Sequence, residues 1–450
     1  MASTYLSKTL AGTRTNGKKW TWSAWVKRNA LDSIMPLFYA DDGSANYYTT
    51  IRFHDTNSIV FRNKHSSDQG YLITTPVYRD TGAWLHIVAV YDSDNSTSGD
   101  RMILYVNGER ITAYDTENYP SSSAGSTIND GYEHRIGRGN QVDGSEYFDG
   151  CMSHVHFCDG YAYAASDFGS TDSTTGIWKI TPSPSVSYGI NGFFILKNDN
   201  GVKDQSPNSN AFAVSGGTLL TTQDNPSNNF PTLNRMLSAT PPTSKGCLTI
   251  TKTNSGYKPG LATFGAFAGK YYAEFKLESA SGYTNFGVVN AFKNSALPTG
   301  TSLDYIGDGT DGVAYQPGSS SLYYNGTSTG SYGSAAQGDI IAIALDIDNG
   351  YVYWRKNDGA WLNSADPTSG STGTGGYALS NLQSDIGNYY ILGVSVAGTS
   401  GTRTISCNFG QGFFGTTAVA TAGTNASNHG VFEYDVPTGY TAMCTKGLNE

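Results

Sequence analysis

Loops that combine tyrosine with amide, carboxylate or imidazole side chains are the first candidates for chemistry in this sequence of 450 residues, 31 of which are Tyr. Aromatic rings stack against the C–H faces of sugar rings, while polar side chains hydrogen-bond the sugar hydroxyls. These loops therefore predict glycan binding, against the alternative that most of the tyrosines are packing residues. The predicted glycan-binding residues of this set are Tyr47, Tyr48, Tyr119, Tyr132, His134, Tyr323, Tyr324 and Asn325.

Two pairs of acidic residues are candidate ligands for Ca²⁺, the one cofactor that the sequence suggests. They are Asp41 with Asp42 and Asp143 with Glu146. Hard cations bind clustered carboxylate and carbonyl oxygens, which is the reason for the prediction. The alternative is that these residues form turns, in which Asp accepts nearby backbone N–H groups.

Catalytic carboxylates are the next possibility. A retaining glycoside hydrolase needs a nucleophile and an acid, which alternate positions of one strand can place on one face. The segment Glu433-Tyr434-Asp435 comes nearest to such a pattern, but no glutamate follows it at the required position. We predict a protein that is not an enzyme. A polysaccharide depolymerase stays open as an alternative, and it would need two carboxylates facing one cleft at about 5–9.5 Å.

Charge and hydropathy exclude several classes of partner. The chain has 28 Lys and Arg against 37 Asp and Glu, a net charge of −9, and its basic residues do not cluster as a phosphate-binding surface requires. No apolar run reaches the roughly 18 residues of a membrane span, and the first 20 residues lack the apolar core of a signal peptide. We therefore predict no nucleic-acid partner, no membrane insertion and no export by the usual route. The five scattered cysteines predict buried thiols in a reducing cytosol.

The elements that must position these residues are β-strands. In segment 20–27 (WTWSAWVK) every second residue is apolar, which predicts a half-buried strand. Turns rich in Gly, Asn, Asp and Ser separate further strands, and long amphipathic helices are not predicted. Many short strands with turn residues between them indicate an all-β fold of sandwiches. The other strands predicted with most support are 83–92, 101–106, 339–348, 351–356 and 389–396.

Shifts in composition divide the chain into three parts. Residues 166–187 and 221–245 are rich in Ser, Thr and Pro, a composition typical of linkers or extended connectors. We predict one domain over residues 1–165, a connector with one or two strands over 166–245, and a second domain over 246–450.

The N-terminal block resembles a laminin-G-like domain, a jelly-roll sandwich of the concanavalin A type. The resemblance covers about 150 residues and implies two packed antiparallel sheets. The segments that carry it, in order, are 20–27 (WTWSAWVK), 82–91 (GAWLHIVAVY), 104–109 (LYVNGE), 136–137 (IG) and 147–153 (YFDGCMS).

The C-terminal block resembles a SPRY domain, which is another concanavalin A-like sandwich. The matching segments are 269–275 (GKYYAEF), 338–346 (GDIIAIALD), 351–361 (YVYWRKNDGAW) and 407–411 (CNFGQ). In SPRY domains, loops at one end of the strands form the binding surface. The resemblance therefore implies that Tyr283, Asn285, Tyr305 and Asp308 belong to a binding site.

The order of the two domains resembles that of fibre and adsorption proteins of tailed bacteriophages, most closely of phages that infect marine bacteria. The middle segments 204–210 (DQSPNSN) and 224–234 (DNPSNNFPTLN) and the ending 436–449 (VPTGYTAMCTKGLN) belong to the same resemblance. It implies a virion protein, assembled in the host cytoplasm, that binds host-surface polysaccharide and other virion proteins as a homo-oligomer, with a trimer favoured. Two alternatives besides a depolymerase stay open: a purely structural virion decoration, and a cellular adaptor that recognises peptides.

Overall fold

Strand segments must pair their backbone polar groups with other strands, and in this chain they form almost wholly antiparallel sheets. The computed structural model describes residues 3–139, 146–197, 201–235, 243–253, 256–279, 283–291, 305–384, 387–397 and 401–449. The chain divides into two units, Met1–Thr221 and Thr222–Glu450. The helical segments of the described residues are short 3-10 turns at Ser98–Asp100, Ala165–Asp167, Leu362–Ser364, Gly370–Thr372, Leu379–Asn381 and Gly447–Asn449.

The strands of the first unit are numbered in chain order. They are β1 Tyr5–Thr9, β2 Lys19–Arg28, β3 Met35–Asp41, β4 Tyr47–Phe53, β5 Ile59–His65, β6 Ser67–Thr74, β7 Leu85–Asp92, β8 Met102–Val106, β9 Glu109–Arg110, β10 Tyr114–Asn118, β11 Glu133–Ile136, β12 Gly150–Asp159, β13 Gly169–Thr171, β14 Trp178–Ile180, β15 Phe193–Ile195 and β16 Ala213–Ser215.

Two sheets of the first unit pack face to face over one apolar core. Their strand orders among the described residues are β10-β6-β5-β4-β3-β11-β1-β16 and β15-β12-β2-β7-β8-β9. Trp22 of one sheet stacks on Phe38 of the other, with ring centroids 6.1 Å apart, and Trp20 packs at 5.5 Å from Phe61. The unit is therefore a sandwich, as predicted.

Strand β2 is buried on both faces, so the prediction of a half-buried strand is wrong for segment 20–27. On the face away from the core, Trp25 stacks on His86 at 4.9 Å, and His86 stacks on Trp178 at 6.0 Å. Trp178 belongs to the segment that follows β12. That segment covers the outer face of the sheet. The alternation of apolar and polar residues within one strand cannot predict that a distant segment will cover it.

The segment that the composition indicates as a connector is divided between the two units at residues 221 and 222. Its first part contributes strands to the first unit. Strand β15 pairs with β12, β16 pairs with β1, and β13 and β14 pair with each other.

The strands of the second unit continue the numbering. They are β17 Thr243–Ser244, β18 Thr249–Lys252, β19 Tyr257–Leu261, β20 Lys270–Leu277, β21 Thr284–Asn290, β22 Gly312–Gln316, β23 Ser321–Tyr324, β24 Thr327–Thr329, β25 Ile340–Asp346, β26 Tyr351–Lys356, β27 Tyr377–Ala378, β28 Tyr390–Ala397, β29 Arg403–Asn408, β30 Phe413–Phe414, β31 Thr417–Ala418 and β32 Thr441–Ala442.

The second unit is also a sandwich. One sheet has the order β17-β18-β29-β20-β25-β26-β27, with β32 added to β20 in parallel, and the other has the order β19-β28-β21-β22-β23-β24. Phe275 and Phe286 meet across the core at 6.1 Å, and the indole N–H of Trp354 donates to the Phe286 carbonyl at 2.8 Å. The predicted all-β fold class with two sandwiches is confirmed.

The C-terminal segment covers the outer face of the sheet that contains β20. Phe432 packs edge-on against Tyr272 at 4.9 Å. Beside them, the fully buried Glu274 accepts the backbone N–H groups of Glu433 at 2.7 Å and Tyr434 at 2.9 Å. Burial raises the pKa of Glu274 to about 7, although these hydrogen bonds favour the carboxylate. A single buried carboxyl group thus anchors the covering segment.

Candidate ligand-binding site

The first unit has an open cleft of about 340 Å³ among loops at the ends of its strands. The loop between β1 and β2, the facing ends of β4 and β5, the loop after β7 and the loop before β11 all contribute to it. Its lining is strongly polar apart from one aromatic wall. The lining residues are Arg14, Asn16, Gly17, Lys18, Tyr47, His65, Asp94, Gly125, Ser126 and Asp130.

Tyr47 and His65 form the aromatic wall of the cleft. They face each other in the register of β4 and β5, and their rings stack with centroids 3.8 Å apart and planes 22° apart. Tyr132 meets Tyr47 edge-on at 6.4 Å. The structure thus brings together two residues that the sequence predicts for glycan binding, and it adds a histidine that sequence reasoning missed. The feature that identifies His65 is its position opposite Tyr47 on the neighbouring strand, and only the strand register reveals it.

Charged groups face this wall. The Arg14 guanidinium lies 2.7 Å from an Asp130 carboxylate oxygen, and Asp94 accepts the hydroxyl of Ser123 at 2.8 Å. Burial, then Tyr132, then the carboxylates of Asp130 and Asp42 raise the pKa of Tyr47, so its hydroxyl is protonated at neutral pH. Burial lowers the pKa of His65, which leaves the imidazole neutral there.

The loops of the cleft are tied to the sandwich by Asp159, which is fully buried. Its carboxylate accepts the backbone N–H groups of Thr15 at 2.8 Å, Asn16 at 3.2 Å and Asn191 at 3.0 Å. It also accepts the Asn129 side-chain amide at 2.7 Å. Sequence reasoning missed this residue, because its partners lie far away along the chain.

Four predicted residues of the first unit lie outside the cleft lining: Tyr132, which only contacts Tyr47, and Tyr48, Tyr119 and His134. Tyr48 stacks on Tyr39 at 5.6 Å and accepts Arg62 at 2.9 Å on the outer face of the sheet, since neighbouring residues of a strand point to opposite faces. The hydroxyl of Tyr119 donates to Glu117 at 2.6 Å.

His134 is fully buried. Its Nε2 accepts the backbone N–H of Asn129 at 2.9 Å, and its Nδ1 lies 2.9 Å from the Tyr132 carbonyl. Burial lowers the pKa of His134 to about 4, so the ring is neutral at physiological pH. In this position His134 supports the loop that carries Tyr132 and has no surface for a ligand.

The residues predicted as calcium ligands have protein partners. Buried Asp41 pairs with Arg135 at 3.1 Å, and Glu146 lies 3.6 Å from Arg52. Asp42 accepts the backbone N–H of Ser44 at 2.9 Å in a turn. Asp143 lies outside the described residues. Within the part of the chain that the structure describes, no three His, Cys, Asp or Glu side chains are grouped so that they could hold a metal ion.

The second unit has a separate group of aromatic residues, which we call the tyrosine cluster: Tyr257, Tyr283, Tyr305 and Tyr323. Tyr305 lies against Tyr257 at 4.5 Å and meets Tyr323 edge-on at 6.0 Å. Tyr283 meets Tyr257 at 6.1 Å and is 48% exposed. Three of the four are residues that the sequence predicts for binding, and Tyr257 is the one it missed.

Asn285 fixes the loop that carries Tyr305 of the tyrosine cluster. It is fully buried, donates to the Ile306 carbonyl at 3.1 Å and accepts the Gln316 amide at 3.1 Å. Ser395 accepts the Ile306 N–H at 2.9 Å. A Cβ at Gly393 would lie only 3.0 Å from the Ile306 side chain, so glycine gives this loop room on the sheet. Asn285 is therefore a positioning residue rather than a contact surface.

The remaining predicted residues of the second unit belong to its turns and core. Tyr324 packs against the core, and its hydroxyl donates to the Asn381 carbonyl at 2.7 Å. Asn325 has a positive φ of 51° in the turn between β23 and β24, a conformation that Asn tolerates well. The Asp308 N–H donates to the Tyr305 carbonyl at 3.1 Å.

Comparison with known proteins gives one family. Residues 3–165 match the laminin G model described as the concanavalin A-like lectin/glucanases superfamily. The comparison with curated proteins finds no match. None of the helices among the described residues is long and apolar enough to cross a membrane.

Solved structures with local similarity include three sandwiches of different origin. The SPRY domain of human HERC1 is 20% identical, with 36% of this chain and 87% of that chain covered and a TM-score of 0.26. A pentraxin from Limulus polyphemus is 16% identical, with 48% and 86% covered and a TM-score of 0.31. Domain 4 of an arabinanase from Geobacillus stearothermophilus, in complex with arabinotriose, is 16% identical, with 33% and 64% covered and a TM-score of 0.25. These scores carry no functional conclusion. The laminin-G-like, concanavalin A-like lectin fold predicted for the N-terminal block is confirmed by the family match over residues 3–165.

Proposed function

We propose that this chain is a virion protein of a tailed bacteriophage that binds host-surface glycan through the cleft of its first unit, without cleaving it. The observation that carries the proposal is the stacked pair Tyr47 and His65, which lines one open cleft together with polar side chains and has Tyr132 packed edge-on behind Tyr47. The lectin fold of residues 3–165 is consistent with binding of this kind.

The arrangement suits a sugar for two physical reasons. The exposed side of the stacked Tyr47 and His65 offers a flat apolar surface on which a pyranose ring can lie. Asn16, Lys18 and the carboxylates on the other walls offer donors and acceptors for hydroxyl groups. A site of this size and openness binds one or two sugar residues with low affinity.

The role in attachment is supported by the resemblance of the whole domain order to phage fibre and adsorption proteins. Low affinity is compatible with attachment because many copies on one particle bind together. Such avidity raises effective binding by roughly 10²–10⁴ without new contacts. A homo-oligomer, with a trimer favoured, would supply those copies, and other virion proteins would hold them in place.

The test is retention of the full chain on immobilised bacterial envelope polysaccharides, with new reducing ends assayed in the same sample. We expect retention without new reducing ends, and a roughly tenfold weaker Kd for Tyr47→Ala because the stacking surface is removed. The matched control is Tyr161→Ala, since Tyr161 is an exposed tyrosine of the same unit outside the cleft lining.

Each alternative has its own outcome. New reducing ends would show that the protein is a depolymerase and not a non-catalytic binding protein. Absence of retention, even with the chain clustered on beads, would contradict the proposal and favour a structural virion part. Equal losses for Tyr47→Ala and Tyr161→Ala would move the binding site out of the cleft.

A further inference from the structure

Within the cleft, one ammonium group has no ion-pair partner among the described residues. The Arg14 guanidinium is neutralised by Asp130 at 2.7 Å. Lys18 lines the same cleft, and among the described residues its ammonium group has neither an ion-pair partner nor a hydrogen-bond acceptor. The lining also contains the Asp94 carboxylate, which accepts the Ser123 hydroxyl and keeps its negative charge. Lys18 as a residue is half-buried. An anion bound beside a cation in a concave site is partly withdrawn from water, so it gains more there than on an open surface.

The backbone that carries Lys18 is fixed. Its N–H donates to the Asn16 side chain at 2.9 Å, and its carbonyl accepts the Ser93 N–H at 3.0 Å. Asn16 is in turn held by the buried Asp159 at 3.2 Å. The base of the side chain is therefore positioned before a ligand arrives, which lowers the entropy lost on binding.

We infer that the cleft selects sugars that carry a carboxylate, with the sugar ring on Tyr47 and His65 and its carboxylate on Lys18. The inference rests on the proposed function and names its ligand class. The overall charge of −9 does not help an acidic glycan to bind. Distant charges are screened within about 10 Å at ordinary salt, however, so the preference depends on the group that meets the carboxylate, and Lys18 is the cation of the lining without an ion-pair partner.

The experiment is a calorimetric and array comparison in which every acidic oligosaccharide has a partner that differs only by reduction of its carboxyl group. The probes are glucuronate-, galacturonate- and sialate-containing oligosaccharides and their carboxyl-reduced forms, presented to the full chain. We expect the best acidic probe to bind at least about tenfold more tightly than its reduced form, the size of one charge-assisted hydrogen bond. In Lys18→Gln this ratio should fall to near one, while the affinity for the reduced form stays unchanged.

Two further variants keep the test specific. Lys18→Arg keeps the charge and should keep most of the preference, and Lys203→Gln removes an exposed lysine of the same unit that does not line the cleft and should change nothing. Equal affinity for acidic and reduced probes would overturn the inference and leave the proposed function standing. Loss of both affinities in Lys18→Gln would also overturn it, because Lys18 would then not read the carboxylate. Binding of no probe by the native chain would count against both.

Discussion

The cleft of the first unit and the tyrosine cluster of the second unit use the same ring chemistry in different electrostatic settings. In both, burial is the main reason why a tyrosine pKa is raised. For Tyr47 the further causes include the carboxylates of Asp130 and Asp42, whereas for Tyr257 they are other tyrosines, opposed by a hydrogen bond from Gln316. Aromatic crowding is therefore common to both regions, and the neighbouring charged groups are what differ between them.

The two regions also differ in what supports them. The cleft loops depend on the carboxylate of Asp159, which accepts hydrogen bonds from four nitrogen donors. The tyrosine cluster depends on the neutral amide of Asn285. Removal of the Asp159 carboxylate leaves more buried donors without an acceptor than removal of the Asn285 amide does. Substitutions at these two residues should therefore affect the stability of the two units unequally.

Asp159→Ala should produce the largest effect. Several buried N–H groups would lose their acceptor, which should lower the free energy of unfolding of the first unit by about 3–5 kcal/mol. Hydrogen exchange followed by mass spectrometry on the full chain would show this as faster exchange around Thr15, Asn129 and Asn191. Asp115→Ala, which removes an exposed carboxylate of the same unit whose one side-chain hydrogen bond comes from Thr75, should have a much smaller effect. Unchanged exchange in Asp159→Ala would contradict the role assigned to Asp159.

A rise in pH from 4.5 to 8 should destabilise the second unit through Glu274. Because burial raises the pKa of Glu274 from 4.5 to about 7, its neutral form is favoured in the folded state. The stability that Glu274 contributes is thus complete below about pH 4.5 and is lost as pH rises through 7. By linkage the loss amounts to about 3 kcal/mol.

This prediction is measured by denaturant unfolding between pH 4.5 and 8, with hydrogen exchange at Tyr434 as the local probe. Glu274→Gln should abolish this part of the pH dependence, since an amide does not titrate. If the second unit in the native chain were equally stable across this range, the buried neutral carboxyl group would be ruled out.

Asn285→Ala should have a moderate effect in the second unit. The Ile306 carbonyl and the Gln316 amide would each lose a buried partner, at a cost of about 1–3 kcal/mol. We expect faster exchange over residues 305–311 and no change in the first unit. Gln337→Ala, which removes an exposed amide of the same unit, provides the control. A substitution at Asn285 without effect on this loop would show that Ser395 alone holds it.

Tyr283→Ala should have the smallest effect. Tyr283 is 48% exposed and touches the tyrosine cluster only through an edge contact, so stability should change by less than about 1 kcal/mol. The Kd of the Tyr283→Ala variant for the polysaccharide that retains the native chain should stay within about twofold of the native Kd, in contrast to that of Tyr47→Ala. A loss as large as that of Tyr47→Ala would make the tyrosine cluster a binding surface as well and remove the contrast between the units.

Much of the fold follows from local patterns in the chain. Alternating apolar residues and turn-forming Gly, Asn and Asp predict the strands, and their order predicts the sandwich that the family match confirms over residues 3–165. The burial of β2 on both faces does not follow in this way. It depends on Trp178, which lies about 150 positions away from Trp25 in the chain.

The candidate site depends still more on contacts between distant residues. Loop composition suffices to nominate Tyr47 and Tyr132, because residue type alone suggests the chemistry. Tertiary structure decides that Tyr47 stacks on His65 and meets Tyr132, that Tyr48 and His134 turn away from the cleft, and that Lys18 is left without an ion-pair partner. The physical reason is that strand register and loop packing are set by long-range hydrogen bonds such as those of Asp159, whose partners no local pattern in the chain identifies.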